Sequence, residues 1–228
     1  MKNIIQRVWL ILVVSLVLVF FTEECIANQC NSIEECNFIY EQAIIDAAIY
    51  EPSEREELSP ILDDQVTAVT WTDWSGYEVG TNTLGQDIWV TVAPQMQEKC
   101  RTFAENGEDL NLRLEQLLGL PPDNGKTKVV EIEVDADNLF RPCANPDISK
   151  IECSSTFPEK LDSSHIKWFM KNVLNSYQVP SGYPWTRLGY TYDWNPNSPE
   201  LGLSEYIVRK GSTVTVTSIR STSDYCTP

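Results

Sequence analysis

Six cysteines downstream of an apolar N-terminus constrain the fold of this chain more than any other feature of its sequence. They are Cys30, Cys36, Cys100, Cys143, Cys153 and Cys226. An even number of cysteines in an exported chain is typical of a disulfide framework, because oxidising compartments preserve such bridges. The sequence alone permits many connectivities. Short loops cost the least entropy to close, and the pairs predicted on that basis are Cys30–Cys36 and Cys143–Cys153, which leaves Cys100–Cys226.

A metal site is the competing interpretation of these cysteines. No two of them have the CxxC spacing of a zinc site, and the chain contains a single histidine, so zinc is poorly supported. Glycine-rich phosphate loops of the GxGxxG and GxxxxGK[ST] types do not occur in the sequence. We therefore expect no cofactor.

The N-terminal segment has the layout of a secretory signal. Lys2 and Arg7 form a basic region, Val8 to Phe21 is an apolar run, and "CIA" at 25–27 suits a signal peptidase. We predict a signal peptide at 1–27, whose removal also takes away the seventh cysteine, and a secreted or periplasmic protein. A retained anchor is the alternative, although the run is shorter than the roughly 20 residues that a spanning helix needs.

The charge of the chain excludes several classes of partner. Acidic residues number 33 against 17 basic ones, for a net charge of −16. Such a surface repels phosphate backbones and anionic lipid headgroups. We expect no nucleic-acid partner, and no stable membrane insertion once the signal has been cleaved.

Local patterns predict an α+β fold with a mainly antiparallel sheet and packed helices, stabilised by disulfides and preceded by an N-terminal helix. Ser32 and Glu35 form a capping box before an apolar-periodic stretch from Ile33 to Tyr50, which predicts that helix. The acidic, proline-bounded stretch that follows predicts a solvated linker. We divide the mature chain into the helical segment with its linker at 28–60 and one α+β domain at 61–228.

The remaining elements follow from turn chemistry and periodicity. Strands are predicted at 66–72, 87–93, 128–137, 186–194, 205–209 and 212–219. Helices are predicted after Pro94, across 108–118, and after an N-cap at Ser163 or Ser164. The irregular alternation of strands and helices favours an antiparallel sheet over repeated βαβ units.

Four carboxylates alternate with apolar residues along the predicted strand at 128–137. They are Glu131, Glu133, Asp135 and Asp137. Alternate residues of a strand share a face, so all four point the same way. A solvated face of a half-buried strand is the simplest interpretation. The alternative is a cation site with Asp135 and Asp137 as candidate metal ligands, although Leu139 stands where an EF-hand would place its third ligand.

The stretch "YPWTRLGYTYDWNP" at 183–196 is the richest in aromatic residues. A strand across 186–194 would bury Trp194 on one face and turn Arg187 and Asp193 to the other. Tyr183 and Trp185 precede that strand, so we expect them to line a groove beside the same two charged residues. The candidate binding residues are therefore Tyr183, Trp185, Arg187 and Asp193. We expect Trp194 to matter for stability and Trp185 to matter for binding.

Catalytic signals are weak. His165 is the one histidine, and it lies in the first turn of a predicted helix, where the helix dipole disfavours its charged form. The nearest approach to a nucleophile elbow is "GLSEY" around Ser204, but Tyr206 replaces the second glycine.

The sequence therefore predicts an exported, acidic, disulfide-stabilised module that binds a carbohydrate or a protein without catalysis. One alternative is a secreted carboxylate-dependent hydrolase acting on carbohydrate, which needs two carboxylates about 5–10 Å apart. Another is an accessory subunit of a cell-envelope assembly, which needs an exposed apolar stripe on the N-terminal helix.

Overall fold

A computed structural model describes residues 30–227, so the predicted signal peptide lies outside the described residues. Within that range the helices are α1 (Ile33–Ala48), α2 (Gln95–Glu105), α3 (Leu110–Leu117), α4 (Ser163–Ser176) and α5 (Thr222–Cys226). The strands are β1 (Gln65–Thr72), β2 (Gly80–Thr83), β3 (Ile88–Val92), β4 (Lys128–Asp135), β5 (Leu139–Phe140), β6 (Tyr190–Tyr192), β7 (Leu201–Val208) and β8 (Thr213–Ser221). No helix among residues 30–227 combines the length and the apolar character that crossing a bilayer requires.

The strands form a single sheet in the order β2-β8-β4-β1-β3-β7-β5, and β6 also pairs with β7. Each of these pairings is antiparallel. The predicted α+β fold with an antiparallel sheet, packed helices and an N-terminal helix is therefore confirmed.

Both faces of the central sheet are covered. Neighbouring residues Ala68 and Val69 of β1 point to opposite faces, and they are 0% and 1% exposed. One face packs into a core that includes Ile132 and Tyr206. The other packs beneath α2, α3 and α5 through residues such as Trp71. The middle of the sheet is therefore buried on both faces, as in sheets that helices and loops cover on each side.

The three disulfides have the predicted connectivity, Cys30–Cys36, Cys100–Cys226 and Cys143–Cys153. Cys100 lies on α2 and Cys226 ends α5, so their bridge ties the C-terminus to the middle of the chain. Both of these residues are fully buried. Three disulfides fit a protein that folds in an oxidising compartment.

Helix α1 packs against the body of the protein. Its N-cap is Ser32, whose hydroxyl accepts a hydrogen bond from the Glu35 amide at 3.2 Å, as the capping motif predicts. The buried side of α1 contacts Tyr192 and Trp194, both from the aromatic stretch. The Tyr40 hydroxyl donates to a backbone carbonyl of the same region at 3.0 Å. The last aromatic residues of the stretch therefore form the surface on which α1 docks.

The predicted strand at 186–194 is wrong, because only Tyr190–Tyr192 is extended and paired with β7. Arg187 and Gly189 have φ angles of 61° and 81°, in the left-handed region. The chain therefore turns back on itself, and Trp185 pairs with Thr191 across the turn. At Gly189 a Cβ atom would lie 2.7 Å from the sulfur of a disulfide cysteine, so only glycine fits this position.

Smaller differences from the predicted elements concern short segments. Strands β2 and β5 lie outside the six strands predicted from the sequence. The N-cap of α4 is Asp162 rather than either predicted serine, and its carboxylate accepts from the Ser164 amide at 2.8 Å. Two- to four-residue strands form because a neighbouring strand supplies their hydrogen bonds, which leaves little local signal in the sequence.

Removing the Cys100–Cys226 bridge should cost more stability than removing Cys143–Cys153. In the chain-entropy model the difference is about 2 kcal/mol, because the bridges close loops with sequence separations of 126 and 10. Urea unfolding of the two double-alanine variants measures it, and both pairs are buried, so the packing losses are matched. Equal losses would show that the long-range bridge does not restrict the unfolded chain.

Trp185 and Trp194 are both buried, with exposed fractions of 4% and 2%, so their burial contradicts the expectation that Trp194 and not Trp185 matters for stability. We expect Trp185→Ala and Trp194→Ala each to lower the free energy of unfolding by about 3–5 kcal/mol. Tyr183→Ala serves as the control, since Tyr183 is 49% exposed and a surface change usually costs within about 0.5 kcal/mol. A loss for Trp185→Ala as small as the control's would contradict its burial.

Candidate functional site

A groove of about 970 Å³ runs across the sheet between β1, β3, the loop after α3 and the end of α4. Its volume lies near the upper end of the range of about 300–1,000 Å³ that is typical of small-molecule sites. Eight aromatic side chains line it: Trp71, Trp74, Tyr77, Trp89, Tyr183, Trp185, Tyr190 and Tyr192. We call this feature the aromatic groove.

Three tryptophans support one side of the aromatic groove. The ring centroids of Trp89 and Trp185 lie 6.2 Å apart, and those of Trp168 and Trp185 lie 5.9 Å apart, both at an interplanar angle of 83°. The indole N–H of Trp168 donates to Asp87 at 3.2 Å, and that of Trp185 donates to the Pro142 carbonyl at 3.2 Å. Edge-to-face contacts and these hydrogen bonds fix the rings, so this side is formed before any ligand arrives.

The upper part of the groove presents aromatic surface to solvent. Trp74, Trp89 and Tyr183 are 58%, 40% and 49% exposed. The Trp74 ring is held edge-on against Tyr77, with centroids 4.8 Å apart. Amide side chains also line the groove, namely Gln86, Asn124, Asn172, Asn175 and Gln178. Amides both donate and accept hydrogen bonds, so the lining suits a ligand that is apolar on its faces and polar at its edges.

Two polar side chains lie at the floor of the groove. Glu205 on β7 and Thr91 on β3 are directly opposite each other in the antiparallel register, so their Cβ atoms are about 4.5–5.5 Å apart on one face of the sheet. They are 6% and 4% exposed. Glu205 Oε1 and Thr91 Oγ1 have no hydrogen-bond partner among the described residues. Leaving a buried polar group unpaired costs about 1–3 kcal/mol, so both atoms are suited to bind a ligand.

Burial raises the pKa of the Glu205 carboxyl well above its usual range, and the positive charge of Arg141 opposes that rise. The Arg141 guanidinium is itself engaged: Nη2 donates to the Ser59 carbonyl at 2.9 Å, and the group lies 4.5 Å from the Tyr206 ring centre. Burial therefore shifts the equilibrium from the carboxylate toward the neutral carboxyl. A neutral carboxyl offers one O–H donor as well as an acceptor.

The residues predicted as a binding site fall in two places. Tyr183 and Trp185 line the aromatic groove. Arg187 instead donates to two carbonyls at the C-terminal end of α1, at 3.2 and 3.0 Å. Asp193 is buried, and its carboxylate pairs with Arg113 at 3.1 Å. Arg187 thus ties the turn to α1, and Asp193 ties the end of the stretch to α3. The two aromatic residues belong to the candidate site.

The predicted metal ligands Asp135 and Asp137 are exposed at the end of β4 and in the turn after it. Within residues 30–227, one group of three carboxylates lies close enough to share an ion, and it does not include Asp135 or Asp137. Its members are Asp46, Glu54 and Glu200, whose ligand atoms are all within 4.8 Å of one another. A metal at Asp135 and Asp137 stays a prediction.

His165 and Ser204 are both held by the backbone. His165 is buried, its Nε2 lies 2.8 Å from the Cys143 carbonyl oxygen, and burial lowers its pKa. Its ring stacks on Trp168 with centroids 5.8 Å apart. The Ser204 hydroxyl accepts from the Ser59 amide at 2.9 Å. These contacts stabilise loops around the Cys143–Cys153 bridge and place neither residue in the aromatic groove.

Comparisons with protein-family models, with curated proteins and with solved structures find no significant match. Function is therefore inferred from the residues of the groove. Sequence reasoning missed Thr91 and Glu205. The one signal for Glu205 is an acidic residue inside an apolar strand, in "LSEYIV".

The raised pKa of Glu205 makes stability depend on pH in a defined direction. The stability that protonated Glu205 contributes is fully present below the pKa of its carboxyl in the unfolded chain, about 4.3. It is lost as pH rises through the higher pKa of the folded protein. Glu205→Gln removes the ionisation, so we expect the variant to be more stable than the natural protein at neutral pH and to lose less stability between pH 4.5 and neutral pH. Urea unfolding at the two pH values measures this.

The control for that experiment is Glu133→Gln, because Glu133 is exposed on β4. This variant should keep the pH dependence of the natural protein. If Glu205→Gln and Glu133→Gln behave alike, Glu205 ionises as an exposed carboxyl does and its burial is refuted.

Proposed function

We propose that this protein is an exported, non-catalytic binding module whose aromatic groove holds an uncharged ligand rich in hydroxyl groups, with neutral oligosaccharides as the ligand class. The observation that carries the proposal is the exposure of three aromatic rings above a floor of unpaired polar atoms. Such a site combines apolar contact with a few placed hydrogen-bonding groups, the usual composition of a small-molecule site.

Charge supports an uncharged ligand. The net charge of −16 disfavours anions. A cation would gain most from an ionised carboxylate at the floor, whereas burial of Glu205 favours its neutral form. A sugar hydroxyl both donates and accepts hydrogen bonds, so it matches a neutral carboxyl, a threonine hydroxyl and amides equally well.

Binding is better supported than hydrolysis. A hydrolytic carboxylate pair raises the pKa of its acid member partly through like charge. At Glu205 the rise comes from burial, and the charge that acts on it within residues 30–227 is the opposite one, on Arg141. Two further carboxylates line the groove, Asp73 and Asp87, but neither acts on the Glu205 carboxyl through charge. Within residues 30–227, the groove therefore contains no carboxylate that is coupled to Glu205 in the way that the hydrolase alternative requires.

A second candidate, an accessory subunit docked through α1, is favoured by one observation. Phe38, Ile45 and Ile49 are 62%, 48% and 59% exposed, and their spacing places them on one side of α1 and its C-cap. An exposed apolar stripe is typical of a docking surface. The described residues identify no partner for this stripe, so the aromatic groove remains the better-supported site.

Titration with neutral tetrasaccharides tests the proposal. Three ligands sample different ring faces and linkages: cellotetraose, maltotetraose and tetra-N-acetylchitotetraose. We expect at least one of them to bind. Binding should change tryptophan fluorescence, because Trp74, Trp89 and Trp185 line the groove. Trp74→Ala and Trp89→Ala should each weaken binding by about fivefold or more, the loss expected for about 1 kcal/mol of aromatic contact.

Phe38→Ala is the matched control, since Phe38 is an exposed aromatic residue on α1 outside the groove. It should leave saccharide affinity unchanged. Three results would contradict the proposal: no binding by any of the three saccharides, tighter binding of choline than of any saccharide, or release of reducing ends from a bound saccharide, which would favour the hydrolase.

A further inference from the structure

We propose that Thr91 and Glu205 together form the recognition point for one ligand hydroxyl, and that Glu205 binds it in the protonated form, so that ligand is released as pH rises. This inference rests on the proposed function of the aromatic groove. It assigns a specific role to the two floor residues and adds regulation by pH to the site.

The geometry of the floor carries the inference. Thr91 and Glu205 come from adjacent strands and face the same cavity, in direct cross-strand register. Each is more than nine-tenths buried, and each has an unpartnered side-chain oxygen among the described residues. Two such atoms side by side at the bottom of one groove are complementary to a single polar group of a ligand that enters from above.

The chemistry of the two oxygens selects the ligand group. A protonated carboxyl and a threonine hydroxyl each donate one hydrogen bond and accept others. A hydroxyl has the same capacity, so it satisfies both groups at once. An ionised Glu205 could only accept hydrogen bonds, and its charge would stay buried beside apolar rings, which is costly. The protonated form is therefore the one that binds.

The groups around Glu205 are few. Arg141, which follows β5, acts on its carboxyl through charge. Tyr177 lies at the C-cap of α4. The pKa of its hydroxyl is raised mainly by burial, and the charge of Glu205 raises it further. The Tyr177 hydroxyl donates to the Trp185 carbonyl at 2.6 Å, so it is already engaged. Thr91 faces Glu205 from β3 and does not titrate. Within residues 30–227, Arg141 is thus the one ionised group that acts on the Glu205 carboxyl, and it is fixed by backbone carbonyls.

Proton uptake on binding gives a defined pH profile. Affinity stays constant below the pKa of Glu205 in the free protein and falls by up to about tenfold per pH unit above it. Calorimetric titration of cellotetraose, maltotetraose and tetra-N-acetylchitotetraose from acidic to alkaline pH measures the profile in the full mature chain.

Two near-isosteric variants separate the roles of the floor residues. Glu205→Gln keeps a donor and an acceptor but cannot ionise, so the affinity of this variant should no longer change with pH. Thr91→Val keeps the shape and removes the hydroxyl, so affinity should fall about five- to tenfold, as for one lost hydrogen bond, with the pH dependence unchanged. Thr215→Val, at an exposed position of β8 outside the groove, is the control and should change neither.

The outcomes distinguish this inference from the proposed function. Saccharide binding with a flat pH profile, or a profile that survives in Glu205→Gln, would overturn the inference and leave the proposed function standing. Unchanged affinity in Thr91→Val would overturn the shared recognition point. Absence of saccharide binding at every pH would overturn both proposals.

Discussion

The left-handed turn at Arg187 and Gly189 is the constraint on which the aromatic groove and the docked helix both depend. It reverses the chain so that Trp185 pairs with Thr191, and it points the Arg187 guanidinium at the carbonyls that end α1. The Gly189 carbonyl accepts a hydrogen bond from the Glu205 amide at 3.0 Å. One tight turn therefore sets a wall of the groove, the seat of the N-terminal helix and the position of the floor residue.

The two polar residues at the floor of the groove lower the stability of the fold. On the same face of β7, Ile207 is fully buried and apolar, two residues from Glu205. A valine or leucine at 205 and a valine at 91 would avoid two unpaired polar atoms, each costing about 1–3 kcal/mol. Buried polar groups without partners are uncommon, and each one requires an explanation. A ligand that supplies the missing hydrogen bonds accounts for Thr91 and Glu205 where packing alone does not.

Sequence patterns predicted those parts of the structure that have local causes. Ser32 begins α1 because its hydroxyl caps the helix, and near neighbours such as Cys143 and Cys153 pair because short loops close cheaply. The prediction of a strand at 186–194 was wrong because Arg187 adopts a left-handed conformation. That conformation is uncommon for a residue other than glycine and needs tertiary contacts to stabilise it, so the local sequence does not indicate it. Tyr183 and Trp185 could be assigned to a groove from their position, but Glu205 could not, because its burial depends on strands distant in sequence.

Carbon-13 NMR of the Glu205 side-chain carboxyl tests the central claim most directly, since it reports both protonation and ligand contact at one atom. The resonance can be assigned by its disappearance in Glu205→Gln. We predict a titration midpoint well above the ordinary glutamate value of about 4.3. We also predict a shift on addition of a neutral tetrasaccharide, while the resonance of exposed Glu57 stays unchanged. A midpoint at the ordinary value, together with no response to any of the three tetrasaccharides, would contradict a neutral, ligand-binding carboxyl at the floor of the groove.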